Sequence, residues 1–163
     1  MAKRWIINAS PLIVLAKIGQ IGLFTALSDE IVIPDAVVQE INAGPPNDPA
    51  RNWLVEPKVP IVGNLNLPSE LLAWDLGAGE TVVLTHALAN PGWTAVLDDN
   101  AARNCARSFG IPVKGTLAIV ILAKQQGLIS SAADLIRQMQ QHDFRIHDAI
   151  VRKALSQTVG EQW

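Results

Sequence analysis

The sequence predicts an α/β fold, a three-layer α/β/α sandwich in which helices cover both faces of a central, mostly parallel sheet. Short β-branched runs alternate with longer helical runs along the chain, and this alternation is typical of parallel sheets. The 163 residues are the usual size of one domain. Because 49% of the residues are apolar and only 17% are charged, the chain can bury a core and does not resemble a disordered protein.

The first part of the chain predicts two buried strands, each followed by a helix. The apolar runs at residues 5–7 and 31–33 are bounded by polar residues or proline, which is typical of short strands. Ser10 has the chemistry of an N-cap and Pro11 suits the first helical turn, so we expect a helix to begin there. We expect Asp35 to cap the helix that follows the second strand.

The rest of the chain continues the alternation. The predicted helices are a short one over 21–27, a turn at 53–55, and longer ones over 77–89, 100–109, 116–126, 132–142 and 147–157. The predicted strands are edge-strand material at 59–62, then 94–97 and 111–114. We expect a single domain over residues 1–163, with its core over 5–126 and a C-terminal helical pair within 130–157.

The composition excludes several classes of protein. Cys105 is the single cysteine, so an internal disulfide is ruled out. No apolar run approaches the ~20 residues of a membrane span, and the apolar stretch after Lys3-Arg4 is too short for a signal peptide. We therefore expect a cytoplasmic protein without a membrane segment. The net charge of −2 is unlike that of a basic coat protein for nucleic acid, although a local basic patch can still steer a polyanion.

Five polar residues stand near the predicted carboxyl ends of strands, where α/β sheets bind ligands. Asn8 follows the first strand, and Asp98 and Asp99 follow the strand at 94–97. Glu40 lies late in one neighbouring helix and Glu80 lies at the start of another. We expect these side chains to converge. Their oxygen atoms suit Mg²⁺ or Mn²⁺ and not zinc, and such an ion suits hydrolysis of a phosphodiester.

Three of the acidic residues also have a structural alternative. Asp98 and Asp99 suit the N-cap of the following helix, and Glu80 suits the first turn of its helix. Their joint placement with Glu40 and Asn8 favours a metal site. The glycines at 77, 79 and 115 lack the complete patterns of dinucleotide or phosphate loops and are interpreted as turns and helix starts.

Two arginines are candidates for phosphate binding. Arg103 and Arg107 are four residues apart, so they share a face of the helix that follows Asp98 and Asp99. A cation on that face could guide a phosphate toward the acidic residues. The alternative is that both are ordinary solvated helix charges.

Several motifs resemble a bacterial and archaeal branch of the PIN-domain family. They are INASPLI at 7–13, IP at 33–34 with VVQE at 37–40, LGAGE at 76–80, VLDD at 96–99 with AR at 102–103, and KGT at 114–116. The resemblance covers roughly residues 5–126, and the C-terminal helical pair is also similar. It implies a PIN-like fold, a metal-dependent ribonuclease, often a VapC-type toxin with an antitoxin partner, and often a homodimer.

By position, the resemblance assigns family acids to Glu40, to Glu80 and to one of Asp98 and Asp99. Asn8 stands where most active PIN nucleases have an aspartate, although this branch often has asparagine. An amide oxygen can ligate a metal or hold a water, but it adds no charge. Metal binding should therefore be weaker than in a site with one more carboxylate.

The sequence thus predicts an endoribonuclease that depends on Mg²⁺ or Mn²⁺ and acts as the toxin of a toxin–antitoxin pair. The predicted catalytic residues and metal ligands are Glu40, Glu80, Asp98 and Asp99, with Asn8 as a further metal ligand. The candidate substrate-binding residues are Ser10, Arg103, Arg107 and Thr116. The expected partners are RNA, an antitoxin and a second copy of the chain. Two alternatives remain open: a PIN module that binds RNA or protein without cleavage, and a nuclease for DNA or another metal-phosphate enzyme.

Overall fold

A central parallel sheet organises the protein in the computed structural model, which describes residues 2–55, 59–63 and 65–163. The strands of these residues are β1 (Arg4–Ile7), β2 (Glu30–Pro34), β3 (Ile61–Val62), β4 (Trp93–Val96) and β5 (Val113–Lys114). They pair in the order β3-β2-β1-β4-β5, and every pairing is parallel. The predicted α/β fold with a parallel sheet is confirmed. Because β1 is central, its carboxyl end lies in the middle of the edge where such sheets bind ligands.

Helices connect the strands and follow the sheet toward the C-terminus. Within the described residues they are α1 (Ala9–Lys17), α2 (Leu23–Leu27), α3 (Asp35–Ala43), α4 (Pro49–Val55), α5 (Ser69–Leu72), α6 (Ala78–Ala89), α7 (Asn100–Ser108), α8 (Thr116–Gln125), α9 (Ala132–Gln140) and α10 (Asp148–Thr158). The sequence does not predict α5, which is a single turn. Among the described helices, none combines the length and the apolar character needed to cross a bilayer.

The central strand is buried on both faces. Trp5, Ile6 and Ile7 are at most 1% exposed, and they belong to one apolar cluster with Leu12 of α1 and Leu84 of α6. A strand covered by helices on both sides needs apolar residues at every position, and this explains the unbroken apolar run in β1.

Two predicted helix caps are wrong. The N-cap of α1 is Asn8 and not Ser10, which lies exposed in the first turn. The backbone N–H of Asn8 still donates to the carbonyl of Val96, so the helix begins directly at the end of the strand ladder. Likewise Pro34 is the boundary residue before α3, and the Asp35 carboxylate accepts a hydrogen bond from Gln39 within that helix.

A carboxylate near the C-terminus caps α9 from a distance. Glu161 accepts hydrogen bonds from the backbone N–H groups of Ala132 and Ala133 and from the Ser131 hydroxyl, at 2.9 to 3.0 Å. Lys124 lies 3.9 Å away. Burial raises the pKa of Glu161, but the three hydrogen bonds and the lysine outweigh burial, so the pKa lies below its ordinary value. The charged form is therefore the form that stabilises the fold.

Glu161→Gln should lower the free energy of unfolding by about 1–3 kcal/mol at neutral pH, because it removes a charge from three hydrogen bonds. A carboxylate with a depressed pKa stabilises the fold above its unfolded-state pKa, and this contribution is lost as pH falls through the folded-state pKa. The difference between the wild type and the variant should therefore shrink in acid, below the ordinary pKa of 4.5. Urea unfolding from neutral to acidic pH measures it. A difference that stays constant with pH would contradict the assignment.

Candidate active site

The carboxyl end of β1 carries a buried amide oxygen without a partner. Asn8 is 3% exposed, and among the described residues its Oδ1 makes no hydrogen bond. Leaving a buried acceptor unpaired costs about 1–3 kcal/mol. Native proteins rarely accept that cost without a ligand, a water or an ion at the position. The oxygen is therefore a candidate ligand for an ion or a water at the centre of the sheet edge.

Gly79 in the first turn of α6 lets a carboxylate approach the same oxygen. A Cβ at position 79 would lie 2.7 Å from Glu40 Oε2 and 2.9 Å from Asn8 Oδ1. Both oxygens therefore border one small space, which stays open because residue 79 has no side chain. An amide oxygen and a carboxylate oxygen around one space are ligands that Mg²⁺ and Mn²⁺ accept.

Glu80 adds a second negative charge beside Glu40. Glu40 is exposed at its surface side, and partial burial of its carboxylate raises its pKa, as does the charge of Glu80. The Glu80 carboxylate folds back over Gly77, where a Cβ would collide with it. A divalent cation between these two acids would attract both carboxylates, and this attraction would outweigh their mutual repulsion.

Asp98 lies just beyond β4 and is held by the first residue of α8. Its Oδ1 accepts the backbone N–H of Thr116 and its Oδ2 accepts the Thr116 hydroxyl, both at 2.7 Å. Burial raises the pKa of Asp98, and these hydrogen bonds together with the nearby Arg103 counteract only part of that rise. Thr116 is fully buried. Its side chain holds Asp98 in place, and its predicted role in substrate binding stays a prediction.

Arg103 of α7 faces Asp98 across a third glycine. A Cβ on Gly115 would lie 2.6 Å from Arg103 Nη1 and 3.0 Å from Asp98 Oδ1. The guanidinium and the carboxylate thus border a common space, as Glu40 and Asn8 do at Gly79. A half-buried arginine at the sheet edge can bind a phosphate group.

The remaining predicted residues lie at the surface. Asp99 is exposed and is the N-cap of α7, with Oδ2 accepting the Ala102 N–H at 2.9 Å. Arg107 is exposed and donates to Asn104 Oδ1 at 3.1 Å. Ser10 is exposed in α1. Asp99 therefore caps a helix, as its structural alternative predicts. Of the two aspartates, Asp98 is the one whose carboxylate lies beside Arg103.

The expectation that all four acids converge on one ion stays a prediction. Among the described residues, no group of three or more His, Cys, Asp or Glu side chains is placed to hold a metal ion. The predicted residues instead form two subsites. We define the amide subsite as Asn8, Glu40 and Glu80, and the arginine subsite as Asp98, Arg103 and Thr116. Both oxygens of Asp98 accept hydrogen bonds from Thr116, whereas Oδ1 of Asn8 accepts none among the described residues.

Sequence reasoning misses the part that glycines play in both subsites. Gly77, Gly79 and Gly115 each leave room for a polar side-chain atom that a Cβ would displace. The signal is present in the sequence, because each of these glycines lies within three positions of a candidate residue. An interpretation as helix starts explains their position but not the close contacts.

Comparison with known proteins identifies a matching family. A family model described as a PIN domain matches residues 4–160. A search of curated proteins found no match. The matched segment contains both subsites.

Proposed function

The chain belongs to the PIN-domain family, and from this premise we propose that it is an endoribonuclease that depends on a divalent metal and acts as the toxin of a toxin–antitoxin pair. PIN domains are generally nucleases. The observation that carries the proposal is the unpaired, buried Oδ1 of Asn8 beside the Glu40 carboxylate. This pair of oxygens fits Mg²⁺ or Mn²⁺.

In the proposed site, Asn8, Glu40 and Glu80 would hold the ion through oxygen atoms. When bound, Mg²⁺ or Mn²⁺ would supply an activated water and neutralise charge on the scissile phosphate. Glu40 and Glu80 would orient that water from the carboxyl edge of the sheet. Asp99, which is exposed, has one oxygen outside its cap hydrogen bond and remains a candidate outer ligand.

The arginine subsite would bind the substrate phosphate. Thr116 fixes the Asp98 carboxylate through two short hydrogen bonds, and the negative charge of Asp98 in turn orients Arg103. The guanidinium would then donate to phosphate oxygens as negative charge develops on them. Arg107, one turn further along α7, would hold a neighbouring phosphate.

An antitoxin and a second copy of the chain are the proposed protein partners. Val55, Leu72 and Trp74 are 82%, 52% and 40% exposed, and exposed apolar groups support a protein interface. A small open reading frame beside the gene would support the pairing with an antitoxin, and an isolated gene would count against it.

A second candidate function follows from the charge of the site. Asn8 contributes no charge, and no three acids of the described residues meet in one group. These two observations favour a PIN module that binds RNA or a protein without cleaving. This candidate predicts neither metal-dependent cleavage nor stabilisation of the fold by metal, since a bound ion would stabilise the folded state.

Cleavage of RNA with Mg²⁺ or Mn²⁺ tests the proposed function. The wild type should cleave, and Glu40→Gln and Asp98→Asn should each lower the rate by about a hundredfold or more, since each removes a charge from the site. Glu70→Gln, at an exposed position in α5, is the matched control and should retain the rate. Cleavage unchanged by both site substitutions would overturn the proposal, and a substrate panel with DNA separates the two nuclease classes.

A further inference from the structure

A groove of about 810 Å³ opens beside the arginine subsite. It runs from Asp98 and Arg103 along α8 to α10 and the residues that precede it. Its volume is in the range of sites that hold a small organic group. Apolar side chains form much of its lining, among them Leu117 and Ile121 of α8, Phe144, and Ile150 of α10. Ile150 is 51% exposed, so an apolar surface is presented to solvent there.

The groove is positively charged although the whole chain carries a net charge of −2. Arg103, Arg107 and Arg145 all line it. Arg107 and Arg145 have no acidic partner within 4 Å among the described residues. Asp98 is the one acid among the described lining residues, and the three arginines outnumber it. The charge of the groove therefore complements a polyanion.

The backbone conformation before α10 places side chains in the lining of this groove. Asp143 adopts a left-handed conformation with φ of 64°, which aspartate tolerates better than most residues. The N–H groups of His142 and Phe144 both donate to the carbonyl of Met139, at 2.9 and 3.2 Å. This turn ends α9 and sets the path of the chain through Phe144 and Arg145.

We propose that this groove binds an unpaired nucleotide of a single-stranded RNA, next to the phosphate that is cleaved; the inference rests on the proposed nuclease function. The base packs against Phe144 and Ile150, while the arginines hold the flanking phosphates. A base can enter such a groove only when it is not stacked and paired in a duplex. Packing of a base on an aromatic ring tolerates any sequence, because every base has a flat face.

An acidic peptide from a protein partner is the rival occupant, because it too would complement apolar and basic side chains. RNA is favoured because the groove is continuous with the proposed phosphate position. The groove begins at Asp98, Arg103 and Gly115, which are the residues that border the proposed phosphate position. A strand whose phosphate sits at Arg103 must place its adjoining nucleotide in or beside this groove.

Binding of labelled RNA to the full chain in EDTA tests the proposal without cleavage. The probes are a fluorescein-labelled single strand of about 12 nucleotides, within the site sizes of single-strand binders, and the duplex of the same sequence. We expect the single strand to bind about tenfold more tightly than the duplex. Ile150→Glu and Arg145→Ala should each weaken single-strand binding about tenfold, and Arg145→Ala should reduce the slope of log affinity against log salt by about 0.7.

Arg152→Ala is the matched control, because Arg152 is exposed on α10 and does not line the groove. It should bind within about twofold of the wild type and keep its salt slope. Equal melting temperatures of the variants exclude unfolding as the cause of weaker binding. The proposal would be overturned if the protein bound single strand and duplex with equal affinity. It would also be overturned if the groove variants bound RNA like Arg152→Ala. A protein partner would then be the remaining candidate occupant of the groove.

The test separates this inference from the proposed function. If the wild type cleaves RNA with Mn²⁺ while groove variants bind and cleave like the wild type, the nuclease stands and the groove assignment is wrong. If the groove variants lose binding and the wild type does not cleave, the groove binds RNA in a non-catalytic module.

Discussion

Gly79→Ala should lower the rate of metal-dependent cleavage by about a hundredfold while leaving the fold intact. The added Cβ would lie 2.7 Å from Glu40 Oε2 and 2.9 Å from Asn8 Oδ1, which is closer than carbon and oxygen can approach. The Glu40 carboxylate ends a flexible chain and would swing away, whereas the buried Asn8 has little room to move. A displacement of about 1 Å at a reacting centre can cost a factor of about 100.

The stability of Gly79→Ala should change much less than its rate of cleavage. Gly79 lies in α6 and has no left-handed backbone conformation, so alanine fits its backbone. Alanine is favoured over glycine by at most about 1 kcal/mol in the first turn of a helix, which offsets part of the cost of moving the neighbouring side chains. Thermal melting without metal should therefore show a variant about as stable as the wild type. This outcome would separate damage to the site from damage to the fold.

Gly22→Ala is the matched control for position 79. Gly22 precedes α2 with φ of −62°, and no atom lies within 4 Å of a Cβ built there. Its rate of cleavage should equal that of the wild type. If Gly79→Ala also cleaves like the wild type, the space between Glu40 and Asn8 is not part of the active site.

Strand positions were predictable because burial leaves a local mark. The unbroken apolar run at 5–7 and the β-branched run at 31–33 occur where helices cover both faces of the sheet. The order of the strands was not predictable, because it depends on long-range pairing such as that of β1 with β4. The helix caps were predicted wrongly for a related reason. The strand ladder holds Asn8 through its backbone, and this displaces the cap from Ser10.

The site was predictable as a set of residues but not as an arrangement. Asn8, Glu40 and Asp98 could be placed near one sheet edge from their order in the chain. The pairing of Asp98 with Thr116 spans 18 residues and exists because β4 and β5 lie side by side. No local pattern shows that this pairing occupies both oxygens of Asp98. The groove beside Phe144 was likewise hidden, because it is formed by helices that are distant in the sequence.

Glu40→Gln should abolish the stabilisation of the protein by Mn²⁺. A ligand that binds only the folded state stabilises it by about 2.7 kcal/mol at one hundred times its dissociation constant. We expect this gain in the wild type and none in the variant, as measured by thermal melting with and without Mn²⁺. Glu70→Gln removes the same charge at an exposed position in α5 and should keep the gain. Equal stabilisation of Glu40→Gln and the wild type would place the ion elsewhere, with Asp98 and Asp99 as the next candidates.

Without metal, the same substitution should have the opposite effect on stability. Burial and the charge of Glu80 raise the pKa of Glu40 above its ordinary value of 4.5, so the folded state binds this proton more tightly than the unfolded state does. The carboxylate therefore destabilises the fold increasingly as pH rises from about 4.5 through the raised pKa, and the penalty is absent in acid. Metal-free Glu40→Gln should thus melt above the wild type at neutral pH, and the difference should vanish at low pH. A site built to bind a cation accepts this repulsion in the empty state, and a variant that melts below the wild type at neutral pH would contradict that interpretation.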